Sequence, residues 1–524
     1  MKTKQSVTSW SSLRTMFVLS ALFEMLLLFS PSASAVPSYT RRYGVECSTC
    51  HSVWGALTAA GNTFKLSGYR AIFGVDLKPD TEDIEVAHGS LVMPSTLPLS
   101  FITGFGYDSR TENRTYKGAL NTTTVGTATT DQTGSTMALE DSSIFMTAPI
   151  GKNLSAFVEF PMYETRAWEF TPTGLSSVYA ANYVGASKNI QFAAEKPIFE
   201  VAKFFWNNLL GDAAPRDSVN LLFGITHLPL AYSPGKVRLP VNQDLVYERR
   251  ALDLISRTPV TSLMSPDAAD GLFRLSEPQS IMELYGMFVP GHAVTDAKNN
   301  IWAEYHVGIS NGSNAAADNN TLKDVYGRFT VRGKGQSLGF FAYYSNDTYD
   351  DALRSGASIG AQTAGPTADP TRSVGIMSGA QVANKHTTYG PNFTLSMMPF
   401  GVPVWLDNDI LYRQESSPTG FDVAFNWKGG FHQLNWQYSK QTMAYVRYDW
   451  IIGDRFDDTA VTANGVKGTT VVEPHENDYI VGLQTLVAPN LKMIGEYRDH
   501  KFDDLASTGS LHDSGFTLRF MIGF

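Results

Sequence analysis

The chain predicts an all-β fold, a transmembrane antiparallel β-barrel of about sixteen strands. Three observations carry that reading. Aromatics reach 12%, with 23 Tyr, 31 Phe and 9 Trp, and charged residues are only 17%, against about 25% in ordinary soluble domains. Beyond residue 35 no apolar run is long enough for a membrane helix, so a crossing has to be made by strands. Apolar and polar residues alternate with a period of two, again and again, from residue 97 onward.

Residues 1–35 stand apart. Lys2, Lys4 and Arg14 precede an apolar run over 16–29, and Ala33-Ser34-Ala35 supplies a small-residue cleavage site. This is the pattern of an export signal peptide. The run is short for a membrane anchor and is interrupted by Ser20 and Glu24. The expectation is a mature chain beginning at Val36, with a small helical segment over 36–90 and the barrel over 91–524.

Individual strands follow the alternation. In 97–108, Leu97, Leu99, Phe101, Phe105 and Tyr107 share a face, opposite Ser100, Gly104, Gly106 and Asp108. Leu154, Ala156, Val158, Phe160 and Met162 oppose Ser155 and Glu159. Ala303, Tyr305, Val307 and Ile309 oppose Glu304, His306, Gly308 and Ser310. Val325, Phe329 and Val331 oppose Asp324, Arg328, Thr330 and Arg332, and Leu434, Trp436 and Tyr438 oppose Gln433, Asn435 and Gln437. Near the C-terminus, Phe516, Leu518, Phe520, Ile522 and Phe524 share one face. Apolar residues toward lipid and polar ones toward a lumen explain such a pattern. An aromatic last residue, Phe524, is the kind of ending by which outer-membrane barrels are recognised for insertion.

The links alternate in length. Short ones are expected at 151–153, 333–335, 428–430 and 489–490, and long polar ones at 110–136, 346–385 and 452–476. Short turns on one side and long loops on the other suit an outer-membrane barrel. The stretch 165–260 breaks the pattern. It holds Pro197, Pro215, Pro229, Pro234 and Pro240, and 199–210 suggests a short helix. Its Arg238, Glu248, Arg249, Arg250 and Arg257 either line a constriction folded into the lumen or decorate an outer loop.

Chemistry concentrates at Cys47-Ser48-Thr49-Cys50-His51. These are the chain's two cysteines, in the C-x-x-C-H spacing of c-type haem attachment. Two thiols at this spacing can each add to a porphyrin vinyl group, and the histidine that follows is the proximal ligand of the iron. A zinc site needs further ligands that no other cysteine supplies. A redox dithiol needs a βαβ setting that the neighbouring sequence lacks. One covalently bound haem c is the expected cofactor. A single helix is expected over 53–66, and Trp54, Phe64 and Tyr69 are candidates to pack on the porphyrin or on the barrel wall. About sixty residues are too few to bury a haem alone, so the segment is expected at or in the lumen. His88 or Met93 is the candidate sixth ligand, with His227 and His306 as alternatives if they face inward. The net charge of −9 argues against a nucleic-acid partner.

Val36-Pro37-Ser38-Tyr39-Thr40-Arg41, the haem motif, and Gly61, Phe64, Lys65, Gly68 and Tyr69 together resemble the fused monohaem cytochrome–porin family, the outer-membrane iron oxidases of iron-oxidising bacteria. The chain departs from that pattern at Trp54-Gly55, where an aromatic and a proline are common, and at Asn62, where an arginine is common. The resemblance implies a Gram-negative outer-membrane location and Fe(II) as electron donor. It further implies one haem c, and a periplasmic cytochrome or copper protein as acceptor. Glu159, Glu304 and His306 are luminal candidates for guiding Fe(II). Other readings are a conduit for a different donor or acceptor, a solute porin whose haem segment is a plug, and a soluble multidomain cytochrome, which the alternation disfavours.

Overall fold

The computed structural model describes residues 38–45, 47–53, 56–70, 84–86, 88, 91–93, 98–121, 124–150, 153–163, 201–232, 245–249, 251, 254, 273–288, 301–312, 322–349, 382–416, 424–458, 470–488, 490–504 and 509–523. The expected signal peptide lies outside them, as do Trp54, Arg238, Arg250, Arg257 and Phe524.

Three short helices come first: α1 (Ser38–Tyr43), α2 (Cys47–Cys50) and α3 (Ala59–Leu66). Sixteen described strands follow: β1 (Leu99–Asn121), β2 (Thr124–Pro149), β3 (Leu154–Tyr163), β4 (Val201–Trp206), β5 (Asn220–Thr226), β6 (Gln279–Phe288), β7 (Trp302–Ser310), β8 (Asp324–Gly333), β9 (Gln336–Tyr349), β10 (Val382–Ser396), β11 (Val404–Glu415), β12 (Phe425–Gln437), β13 (Thr442–Gly453), β14 (Pro474–Ala488), β15 (Leu491–Asp504) and β16 (Gly509–Gly523). A fourth helix, α4 (Leu245–Glu248), falls between β5 and β6. Each strand pairs antiparallel with its sequence neighbours, and β16 pairs with β1 to close the ring. This is a closed antiparallel membrane barrel, whose ring gives each of its strands a partner on both sides among the described residues; two-stranded ribbons, such as Phe456–Asp458 with Thr470–Val472, lie outside it.

Side-chain direction follows the predicted alternation. Met282, Leu284, Phe288, Val307, Ile309, Val325, Phe329, Leu338, Val446, Val481 and Leu483 are exposed on the outside. Glu283, Glu304, His306, Arg328, Asp409, Arg447 and Asp478 are buried on the inside. Outside a bilayer such an apolar surface would be costly, whereas lipid tails match it.

Part of the inside is occupied by the chain itself. Residues 228–232, α4, Arg249, Ala251, Leu254, Phe273 and Leu275 turn into the barrel and share one buried cluster with Phe205, Tyr285, Tyr326, Tyr343, Leu411, Phe431 and Ile451 of the wall. The Tyr247 hydroxyl donates to Asp409, and Tyr232 donates to Asp407 at 3.4 Å. Arg249 straddles Glu476 through Nε at 2.9 Å and Nη2 at 2.5 Å. The Arg328 guanidinium donates to the Leu230 carbonyl at 3.1 Å. Of the charged residues expected either in a constriction or on an outer loop, Arg249 lies inside the barrel against Glu476, while Arg238, Arg250 and Arg257 lie outside the described residues.

Four expectations need correction. Residues 201–206 are strand β4, not part of a helix: Val201, Lys203 and Phe205 point in and Phe204 and Trp206 point out. The chain over 428–430 is not a turn but the middle of β12. A Cβ on Gly430 would lie 2.2 Å from the Asp409 carbonyl oxygen, and one on Gly429 3.2 Å from Val246 of α4. The glycine pair therefore marks close backbone approach within a strand. Described residues of 110–136 are not loop, because β1 and β2 pair out to Asn121 and Thr124. Finally, the helix expected over 53–66 starts only at Ala59. Thr58 caps it by accepting from the Gly61 amide at 3.1 Å, while 51–53 pairs with 56–57 as a small ribbon.

Candidate functional site

The motif-bearing segment docks against the strand ends where β1 begins and β2 finishes, called here the near end. The Ser38 amide donates to Ser100 Oγ at 2.9 Å, and Ser38 and Thr147 hydroxyls lie 3.3 Å apart. Below α3 the chain turns sharply. Gly68 and Tyr69 both have φ of +64°. A Cβ on Gly68 would stand 2.3 Å from Asn207 Oδ1 and 2.6 Å from Ser155 Oγ, so glycine is required by conformation and by space. Ser155 Oγ donates to the Gly68 carbonyl at 2.7 Å, and the Arg70 guanidinium donates to the Leu154 carbonyl.

Within the segment, α2 presents Cys47 and Cys50 one helical turn apart and His51 directly after it. The α2 turn is tied to α3: Thr58 Oγ1 donates to the Thr49 carbonyl at 2.8 Å, and the Thr58 amide to Cys50 oxygen at 2.9 Å. A Cβ on Gly61 would come within 2.0 Å of that same oxygen, so the helices touch through a glycine. Cys50 packs with Tyr39, Phe64 and Tyr69 around a small aromatic cluster. Tyr39 stacks on Tyr69 at 5.3 Å and meets Phe64 edge-on at 5.0 Å. Burial first, then the neighbouring Tyr69, push the Tyr39 phenol well above its ordinary range, so it stays neutral. Two thiols on one turn, a following histidine and an aromatic wall fit a covalently held porphyrin.

Tyr69 is the joint between segment and barrel. It stacks on Phe157 of β3 at 5.5 Å and meets Phe205 of β4 edge-on at 5.6 Å. The Lys203 ammonium sits 4.8 Å from the Phe157 ring centroid, 5.6 Å from Phe205 and 5.9 Å from Tyr69, within cation–π reach of all three. Asn207 Nδ2 donates to the Tyr285 hydroxyl at 3.3 Å, carrying the contact on to β6.

Of the predicted residues, Cys50, Phe64 and Tyr69 come together, with Tyr69 on the barrel wall. His88 is exposed in the turn of a ribbon formed by Ile84–Val86 and Leu91–Met93, which lies outside the barrel sheet and ends at Met93. His306 faces inward but bonds Glu283 at 2.8 Å and stacks on Tyr285 at 5.9 Å, with Tyr285 and Phe205 standing between it and Tyr69. Glu304 is clamped by Arg332 at 3.0 Å and Arg328 at 3.2 Å, so its charge is already met by two guanidinium groups. Glu159 is buried on the inner face. Among the described residues no group of three or more His, Cys, Asp or Glu converges as a metal site. Lys203, Phe205 and Asn207 were hidden by the helical reading of 199–210, although Val201, Lys203 and Phe205 alternate with Phe204 and Trp206 in the sequence.

No protein-family model matches the chain, and no curated protein matches it in sequence. Among solved structures it is similar to OmpT, an outer membrane protein of Vibrio cholerae, at 8% identity over 80% of this chain and 97% of that one, TM-score 0.42. It is also similar to the outer membrane channel DcaP of Acinetobacter baumannii, at 10% identity over 85% and 100% of the two chains, TM-score 0.41. An anion-selective porin from Comamonas acidovorans gives 10% identity over 81% and 100%, TM-score 0.40.

Proposed function

We propose that the chain is an outer-membrane electron-transfer cytochrome–porin that oxidises extracellular Fe(II) and delivers the electron to a soluble periplasmic cytochrome or copper protein. The observation that carries this reading is the C-x-x-C-H turn in a segment docked on the inner wall at one end of a membrane barrel. Cys47 and Cys50 would hold haem c by two thioethers, with His51 as axial ligand. When bound, haem supplies a one-electron Fe(III)/Fe(II) couple. Tyr39, Phe64 and Tyr69 keep water from one side of the attachment turn, and Lys203 places a positive charge beside Tyr69.

Blocking the lumen suits this task. Ferric iron hydrolyses and precipitates near neutral pH, so its formation is best kept outside while only electrons pass inward. The near-end segment and the inserted residues 228–232, 245–249, Ala251, Leu254, Phe273 and Leu275 occupy the barrel at two levels. Glu304 and His306, already engaged by Arg332 and Glu283, act in this reading as parts of the wall rather than as iron guides.

Stopped-flow mixing of the air-oxidised, detergent-purified protein with Fe(II), at acidic and near-neutral pH, tests the proposal. A reduced haem band is expected to grow in at one or both pH values. Reduction by dithionite with none by Fe(II) at either pH would remove the iron oxidase reading. The charged inner face of β13–β16 favours a second reading, a solute porin with a plug. Single-channel conductance decides it: a steady open current from the intact protein supports the porin.

A further inference from the structure

One side of the barrel carries a run of rings, bridged once by a carboxylate, from the candidate haem segment toward the far end. Tyr69 meets Phe205 at 5.6 Å, and Phe205 meets Tyr285 at 6.3 Å. Tyr285 stacks on His306 at 5.9 Å with 12° between the planes. His306 Nδ1 lies 2.8 Å from Glu283, whose other oxygen accepts from the Tyr326 hydroxyl at 3.0 Å. Tyr326 and Tyr343 are cross-strand partners on the inner face, which sets their Cβ atoms about 5 Å apart. The sequence positions climb the wall: Phe205 is one residue from the near end of β4, whereas Tyr326 is two residues from the far end of β8.

Packed rings are common in any core. Two features set this run apart. The run passes through seven side chains, six rings and one carboxylate, from Tyr69 to Tyr343 by way of Phe205, Tyr285, His306 and the Glu283–Tyr326 bridge. Each upper tyrosine also keeps a buried hydroxyl tied to a carboxylate, Tyr326 to Glu283 and Tyr343 to Asp324. Phenylalanine would fill the same space without the desolvation cost of a hydroxyl and an acid.

We propose that this run is the electron route between the far mouth and the haem segment, an inference that rests on the haem reading above. A one-electron donor at the far mouth loses an electron, and ferric haem gains it to become ferrous. The rings end unchanged and no proton crosses. Their π orbitals lie closer in energy to the transferring electron than those of saturated side chains, so rings in contact carry it further.

The test uses the full protein in liposomes with its far mouth outward and an impermeant ruthenium polypyridyl photoreductant outside. The first-order rise of the reduced haem band after a flash gives the transfer rate without turnover. Haem content is read as the pyridine haemochrome and the midpoint potential by redox titration. Tyr285→Leu and His306→Leu are expected to slow transfer roughly tenfold or more, with haem content and potential unchanged. Tyr285→Phe, which keeps the ring, and Phe425→Leu, on a different part of the wall, are expected to match the unaltered chain. Wild-type rates in both leucine variants, or an equal loss in Phe425→Leu, would overturn the route while leaving the haem in place. Absence of a haemochrome band from the unaltered protein would instead overturn the haem reading itself.

Discussion

The two sides of the barrel wall are built from different materials. On the side from β4 to β8 the described strands span between 6 and 10 residues, and the inner face carries Phe205, Tyr285, Met287, Trp302 and Tyr326. On the side from β14 to β2 they run from 14 to 26 residues. There charge pairs dominate the inner face, whereas on the first side Glu304 with Arg328 and Arg332, and His306 with Glu283, are set among rings. Asp478 pairs with Arg498 at 2.7 Å, Glu476 with His500 at 2.6 Å, and Asp513 with Arg110 at 3.8 Å. Rings gain from burial in almost any arrangement. Buried charges are tolerated only opposite a partner in good geometry, so they fix position more than they add stability. The ring side holds the helical segment through shape, and the charged side adds the Arg249–Glu476 pair to the contacts that Arg328, Asp407 and Asp409 make with the inserted segment.

The largest effect is expected where pairing is concentrated. Glu476→Ala leaves Arg249 and His500 facing a missing carboxylate, a loss of about 3–5 kcal/mol for breaking a buried pair. Thermal unfolding should register it, together with a rise in single-channel current as residues 245–254 lose their anchor. An unchanged current would show that the remaining contacts, Tyr247 with Asp409 and Arg328 with the Leu230 carbonyl among them, suffice to hold the inserted segment. On the ring side, Phe205→Ala should cost about 3–5 kcal/mol as a cavity, read by urea unfolding. This loss should be indifferent to salt and leave the current low, because the Arg249–Glu476 pair is untouched.

The link between β4 and β5 offers a smaller, pH-dependent contrast. Burial raises the Asp217 carboxyl above 3.8, with Arg216 and Arg70 pulling the other way. The folded chain thus binds this proton more tightly than the unfolded one. The group's contribution is fully present below the unfolded value and is lost as pH rises through the higher folded value. Asp217→Asn should flatten that part of the stability–pH curve above 3.8. A steeper fall with pH in the variant would contradict the assignment. The smallest effect belongs to charges facing outward. Lys501 and Asp499 lie 3.7 Å apart with half-exposed side chains, and Lys501→Ala should change stability by no more than about 1 kcal/mol. A loss comparable with Glu476→Ala would mean that the outer surface near β15 is covered.

How far the chain could be read depended on which side a residue serves. Strands with one polar and one lipid face, such as β7, β8 and β16, were legible because a two-residue period separates Glu304 and His306 from Val307 and Ile309. β4 was not, since a six-residue strand with Phe on both faces shows too little contrast to exclude a helix. Gly429 and Gly430 looked like a turn because glycine marks both turns and close approaches; only the positions of Asp409 and Val246 tell them apart. The haem motif was legible as a spacing of residue types. Its support by Ser155, Phe157 and Asn207 was not, since these lie some ninety to one hundred and forty residues away along the chain, and distance in sequence conceals contact in space.

Unequal pairing leaves part of the β1–β2 hairpin standing alone among the described residues. β1 and β2 pair with each other out to Asn121 and Thr124, whereas β16 follows β1 only to Tyr116, and β2 meets described residues of β3 only from Ser142 to Pro149. At roughly 3.3 Å per residue, residues 117–121 carry β1 about 15 Å past the end of β16. Over that length the sequence no longer has a lipid face and a lumen face to satisfy. The turn side of the hairpin accordingly drops the aromatic alternation of the wall for small and hydroxyl residues, Thr124, Gly126, Thr127, Ala128, Thr129 and Thr130 among them.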